Sequence, residues 1–271
     1  MFRLRAVIVV LPLAILLLGC SFRGPSERAQ PGVPTTVPVV RLPRPQPPRI
    51  YRLGHLDTLV QLPGRVLPIH QASRGVYQKL PQTLTITLNP TTAEEEEAFD
   101  FEAEERLRLR KAGPLVQRTK HTLWLRPSKT KPVSLVSNPT EDETRNITYE
   151  YVASIPAIRQ WLVAVRLYEG GYYILVDQRT GRRTRVWSPP AVAPDGKHFV
   201  CGNSDVLARY EPSGLQLWAV DEGGLRRLWE RQTEWGCTQP RWLDNRTILF
   251  EQDFFDNGDV DTRVVRLTVV P

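Results

Sequence analysis

Methionine occurs once, cysteine three times and histidine four times in these 271 residues, and each scarcity excludes something. His55, His70, His121 and His198 are too widely spaced to read as a zinc site, and each reads as a surface or capping residue. There is no Gly-x-Ser-x-Gly elbow, no cysteine with a convincing histidine partner and no phosphate-cradling glycine loop. No catalytic, cofactor-binding or metal-binding residue is therefore assigned, and no cofactor is implied. Carboxylate pairs for glycoside cleavage meet only in space, and none stands out along the chain. Dense basic blocks are missing as well. The net charge is +7, but its arginines are scattered along strand-like segments. That pattern argues against nucleic acid and for a weak, salt-screened attraction to anionic lipid, cell-wall polymer or an acidic partner. Long apolar runs are absent too. The run Ala6 to Leu18 spans 13 residues, about 20 Å as a helix, too short for the roughly 30 Å core of a bilayer.

That short run is nonetheless the most informative stretch. Arg3 and Arg5 precede it, and Leu17-Leu18-Gly19-Cys20 closes it, which is the charge, length and small-residue pattern of a cleaved export signal. The stretch resembles the signal peptide and lipid-attachment box of bacterial lipoproteins. The resemblance implies removal of residues 1–19, lipidation of Cys20 through a thioether-linked diacylglyceryl group, and acylation, for instance by palmitate, of the new amino group. Two or three acyl chains, at about 0.8 kcal/mol per buried CH₂, give a permanent attachment where one chain gives a marginal one. Ser21, not Asp, follows the cysteine, similar to lipoproteins delivered to the outer membrane. The expected location is a cell or outer membrane surface on the extracytoplasmic side, the periplasm in a double-membraned host.

Residues 20–49 read as a tether. Eight prolines lie between positions 21 and 50, which precludes a regular helix or central strand and leaves polyproline II and coil. At about 3.1 Å per residue such a segment reaches as far as ~85 Å. Residues 50–271 are expected to form a single β-rich domain. Thr83 to Leu88 and His121 to Leu125 alternate as strands do. Between them, Thr91 to Lys111 predicts one helix. Thr92 and Glu95 have capping-box spacing, acidic residues lead, basic residues finish, and Gly113-Pro114 follows. Phe99, Ala103 and Leu107 would share one helical face, although Phe99 and Phe101, and Leu107 and Leu109, also alternate as in a strand. The run Glu94 to Glu97 reads as a solvated helix start rather than a cation site.

The segment from position 150 onward holds six of the seven tryptophans and a repeated pattern. Pro194-Asp195-Gly196-Lys197-His198-Phe199-Val200-Cys201 aligns with Leu243-Asp244-Asn245-Arg246-Thr247-Ile248-Leu249-Phe250, 49 residues on, and with a fainter copy from Pro156 to Val163, 38 residues earlier. Each copy is a turn feeding an apolar strand, followed by a second strand, a tight turn and a third: Tyr173 to Asp177 then Thr184 to Trp187, and Leu217 to Asp221 then Leu225 to Trp229. Ala193-Pro194-Asp195-Gly196-Lys197 resembles the WD-like repeats of TolB-type β-propellers. The expectation is a mostly β fold of antiparallel propeller-like blades, complete or incomplete, with one helix in the N-terminal half and the repeats clearest in 150–271.

From that blade reading, Cys201 and Cys237 become candidate disulfide partners between neighbouring blades. The bond would close a loop of about 36 residues, contributing ~3 to 4 kcal/mol in the chain-entropy model. Two buried, unpaired thiols are the alternative. Asp253, Asp256, Asn257, Gly258, Asp259 and Asp261 crowd together as calcium ligands do, but Phe255 occupies a ligand position, and Asn257-Gly258 reads as a hairpin turn. Trp187, Trp218, Trp229, Trp235 and Trp242 could stack on sugars; packing is the plainer reading. Asp177, Asp195, Asp221 and Asp244 read as turn residues.

The expected function is thus a membrane-anchored, non-catalytic binding or assembly module whose partner is a protein or cell-wall polymer. The alternatives are a cell-envelope enzyme acting on wall glycan or peptide through carboxylates on a propeller face, and an envelope spacer.

Overall fold

Polar turns at regular spacing cut the chain into short apolar strands, which pair mostly with their sequence neighbours. The computed structural model describes residues 59–82, 84, 100–256 and 258–269, all within one unit, Pro47–Pro271. The chain begins with a hairpin, β1 (Leu59–Leu62) and β2 (Arg65–Gln71), followed by a one-turn helix α1 (Arg74–Gln78) and then by α2 (Phe101–Ala112). A first sheet contains β3 (Val116–Thr119), β4 (Thr122–Leu125) and β5 (Val133–Val136). The second contains β6 (Ile147–Ile155), β7 (Gln160–Leu167), β8 (Gly171–Asp177) and β9 (Arg183–Val186). The third contains β10 (Ala191–Val192), β11 (His198–Asn203), β12 (Gly214–Asp221) and β13 (Gly224–Gln232). The fourth joins β14 (Gly236–Trp242), β15 (Thr247–Asp256) and β16 (Asp259–Thr268) to the N-terminal hairpin, in the order β14-β15-β16-β2-β1.

The protein is therefore mostly β, in four antiparallel propeller-like blades, with its one multi-turn helix among the described residues in the N-terminal half. The sheets stack in a row. Leu123, Leu125 and Leu135 of the first meet Trp161, Val163 and Val165 of the second. Leu162, Ala164 and Leu175 from the other face of the second meet Phe199, Cys201 and Trp218 of the third. Val200, Leu215 and Leu217 of the third meet Trp235, Cys237, Ile248 and Phe250 of the fourth. Strand β7 is buried on both faces, so its centre, Trp161 to Val165, reads as an unbroken apolar run rather than an alternating one. Each such Leu, Val or Phe contributes roughly 1.5–3 kcal/mol by leaving water.

The row is an incomplete propeller. The far side of the fourth sheet, at Leu249 and Val264, is covered by Tyr77 of α1. At the opposite end of the row, Trp124 and Val136 of the first sheet are exposed.

Helix α2 forms where the acidic-to-basic run was read, but within the described residues it starts at Phe101, with Asp100 accepting from the Ala103 N–H at 2.8 Å. The capping box at Thr92 and Glu95 and the strand-like run Thr83 to Leu88, apart from Leu84, fall outside the described residues. Gly113 ends the helix at φ 64°, a conformation open to glycine. The helix lies along β6, the edge strand of the second sheet, and its side chains close that edge. Glu105 accepts the Tyr151 N–H at 2.6 Å and binds Arg118, while Arg108 and Arg166 both bind Glu150.

Candidate functional site

Because the strands run antiparallel, alternate connections emerge at opposite ends of the stack. One end carries tight turns. Asp177 accepts the Arg179 and Thr180 N–H groups, both at 2.8 Å, Asp195 accepts from Lys197, and Asp244 accepts from Arg246 and Thr247. These three carboxylates thus serve as turn residues, and Asp221 pairs with Arg226 at 3.0 Å. In the faint repeat copy, Arg159 takes the left-handed conformation (φ 53°), as Gly196 does at φ 68°.

The other end carries the β7–β8 hairpin, the ten-residue segment 204–213 between β11 and β12, and the tip of the β15–β16 hairpin. They touch in sequence. Glu211 Oε1 accepts the Gly171 N–H at 3.1 Å, and Ser204 Oγ donates to Asp253 Oδ2 at 2.7 Å. The middle segment is held internally by Asp205, which accepts the Glu211 N–H, and by Asn203, which donates to the Pro212 carbonyl. It sits tightly on β14: a side chain at Gly236 would collide with Ser204.

Two cavities open here, with Glu211 in the wall of both. One, of about 320 Å³, lies between the second and third sheets and is lined by Arg166, Tyr173, Trp187, Asn203 and Glu211 among others. The second, of about 460 Å³, is walled by Asp205, Arg209, Tyr210, Thr233 and Glu234. Around them, apolar side chains project into solvent from all three tips: Tyr168 (54% exposed), Leu207 (73%), Tyr210 (65%) and Phe255 (44%).

Of the five tryptophans singled out in the sequence, Trp218 stacks on Phe199 and Trp235 on Phe250, each with ring centroids 5.8 Å apart. Trp242 is buried and its Nε1 donates to the Ala191 carbonyl at 2.8 Å. Trp229 packs, half-buried, against the core between the third and fourth sheets. These four are packing residues, whereas Trp187 lines the first of the two cavities. The acidic cluster forms the β15–β16 hairpin, with Asp256 opposite Asp259. Asp253 is engaged by Ser204 and Thr262. Among the described residues no group of three or more His, Cys, Asp or Glu is arranged to hold a metal.

Cys201 and Cys237 are free and fully buried. Cys201 faces the second sheet, whereas Cys237 lies on the opposite side of β11, against Gly202. The strand backbone separates them, and burial pushes both thiols well above the ordinary cysteine range. Cys20 lies outside the described residues. Burial likewise raises the Tyr77 and Tyr151 hydroxyls to about 12.

Nothing in the sequence marked the joined loop end, because its parts lie far apart in the chain. The one local trace is the polar, turn-rich stretch Asn203 to Ser213. Compared with known proteins, the chain matches no family model, no curated protein and no solved structure.

Proposed function

We propose that this chain is a lipid-anchored, extracytoplasmic lipoprotein that acts as a binding or assembly module. The anchor reading rests on Leu17-Leu18-Gly19-Cys20 behind a short apolar run, and the WD-like turn at Asp195-Gly196 supports a TolB-like use of the blades as a contact scaffold. The observation that carries the binding reading is the apolar rim at the loop end. Large side chains left in water on three adjoining tips, above two polar cavities, are the mark of a docking surface. Its chemistry selects the partner. The loop segments 119–122, 137–146, 166–171, 203–213, 232–236 and 256–259 hold nine Asp or Glu against four Lys or Arg, so the complementary surface is a protein face that is basic and apolar.

The test is photo-crosslinking from positions Tyr168 and Tyr210 in intact envelopes. A discrete crosslinked protein that disappears when Leu207→Asp is added supports the reading. Crosslinking to nothing from either site, in a chain shown to be folded and membrane-bound, sinks it. A soluble wild-type chain, or a mature N-terminus other than an acylated Cys20, sinks the anchor half separately.

A further inference from the structure

The opposite end of the stack is as strongly charged as the loop end, with the other sign. The turn segments 63–65, 126–132, 156–159, 177–183, 193–197, 221–226 and 243–246 hold eleven Lys or Arg against five Asp or Glu. The turns are bound to one another. Lys129 N–H donates to the Arg179 carbonyl and Thr130 Oγ1 to the Thr180 carbonyl, and Arg179 Nη2 donates to the Glu222 carbonyl. Gln178 N–H donates to the Arg159 carbonyl, and the Asp195 N–H donates to the Asn245 side chain at 3.1 Å. Turns from all four sheets thus form one connected face. Lys129, Lys131, Arg159, Arg182 and Lys197 are exposed on it.

The two ends act independently. An eight-residue strand such as β7 separates them by roughly 25 Å at about 3.3 Å per residue, several times the ~8 Å screening length of physiological salt. The face therefore presents a positive field that the acidic end does not cancel.

The N-terminal hairpin also turns at this end. Leu59 pairs with Pro68, and Ile69 pairs with Leu267 beside the last residue of β16, on the turn side of the stack. β1 runs from there to the Leu62–Arg65 turn, so the N-terminal hairpin adds Arg65 to the charged face.

We propose that the turn end is a second interaction surface, one that lies on anionic phospholipid headgroups and points the acidic, apolar loop end away from the membrane. The proposal takes its direction from the lipid-anchor reading. Lipid is favoured over a wall polymer because the tether keeps the turn end at high effective concentration near the bilayer. Each Lys or Arg at an anionic surface strengthens binding about five-fold.

The test uses the chain from position 20 onward with Cys20→Ser, so failure of acylation and failure of this surface are read separately. Co-sedimentation with phosphatidylglycerol-containing vesicles is compared with pure phosphatidylcholine vesicles. Two triple variants then carry the same charge change at opposite ends: Lys129→Glu, Lys131→Glu, Arg159→Glu at the turn end, and Lys120→Glu, Arg145→Glu, Arg209→Glu at the loop end. Circular dichroism checks folding, and Gln in place of Glu at the turn-end positions serves if the Glu triple misfolds. The expected result is binding to the anionic vesicles alone, weakened by added salt, and at least about 100-fold weaker in the turn-end Glu variant but within about two-fold of the parent in the loop-end variant. Equal loss in both variants, no loss in the turn-end variant, or binding to an anionic wall glycan without binding to vesicles would overturn it.

Discussion

The Glu105 carboxylate grips the Arg118 guanidinium through both oxygens, Oε2 to Nε and Oε1 to Nη2, each at 2.6 Å. Glu105 comes from α2 and Arg118 from β3, and the same carboxylate accepts the Tyr151 N–H of β6. Three elements, from two sheets and a helix, converge on one largely buried charge. Arg118 and Glu105 retain 22% and 10% of their side-chain exposure. Removing one partner leaves the other short of hydrogen bonds in a poorly solvated place. Glu105→Ala is expected to destabilise the fold by about 3 kcal/mol, and Glu105→Gln with Arg118→Met by clearly less. Urea unfolding followed by tryptophan fluorescence measures both, and equal losses would mean that packing, not the charge pair, holds α2 in place.

The thiols give a second outcome. In the Cys20→Ser chain, Ellman's reagent should find no reactive thiol in the native protein and two after unfolding without reductant, because Cys201 and Cys237 are buried, unbonded and poorly ionised. A chain that releases thiols only after reduction would place a disulfide where the structure has none.

How much of this was legible depends on the range of the contact involved. Asp195-Gly196 and Asp244-Asn245 announced turns because an Asp side chain satisfies amides two and three residues ahead, a purely local act. The strands after them were equally plain. Arg159 was harder, since an arginine in the left-handed region carries no glycine to mark it. The pairing of β2 with β16 joins positions almost 200 residues apart and leaves no local trace. The charge separation was hidden for a related reason. Successive connections alternate between the two ends, so cations and anions that interleave in sequence are sorted only once the strands pair.

Asp177 supplies a pH dependence. Burial alone would raise its carboxyl, but the Thr180 and Arg179 N–H groups, the Thr180 hydroxyl and the Arg179 charge outweigh that and hold it below the ordinary Asp range. A carboxyl whose pKa is lower in the folded state stabilises the fold above its unfolded value, near 3.9, and loses that contribution as pH falls through the folded value. Asp177→Asn keeps an accepting oxygen and removes the charge. Its urea midpoint is expected to lie below that of the parent at pH 6, with the gap closing as pH drops below about 4. Parallel curves down to pH 2 would rule the linkage out.

The last sheet is built from both ends of the described chain, and Ile69 is where that matters. Its side chain is fully buried in the core with Trp235, Ile248, Phe250 and Leu267, although β2 pairs with β16 through only three residues, Ile69, His70 and Gln71. A short ladder contributes few hydrogen bonds, so the apolar anchor carries the attachment. Ile69→Ala removes most of it and leaves a void, at an expected cost of about 2–4 kcal/mol. Without β2, the β16 edge would be open to other chains. Hydrogen exchange should therefore show amides of β15 and β16 losing protection in this variant, and the protein should self-associate on mild heating. If protection falls only within β1 and β2, the N-terminal hairpin is an ornament on a sheet that stands without it, and the fourth blade is complete in three strands.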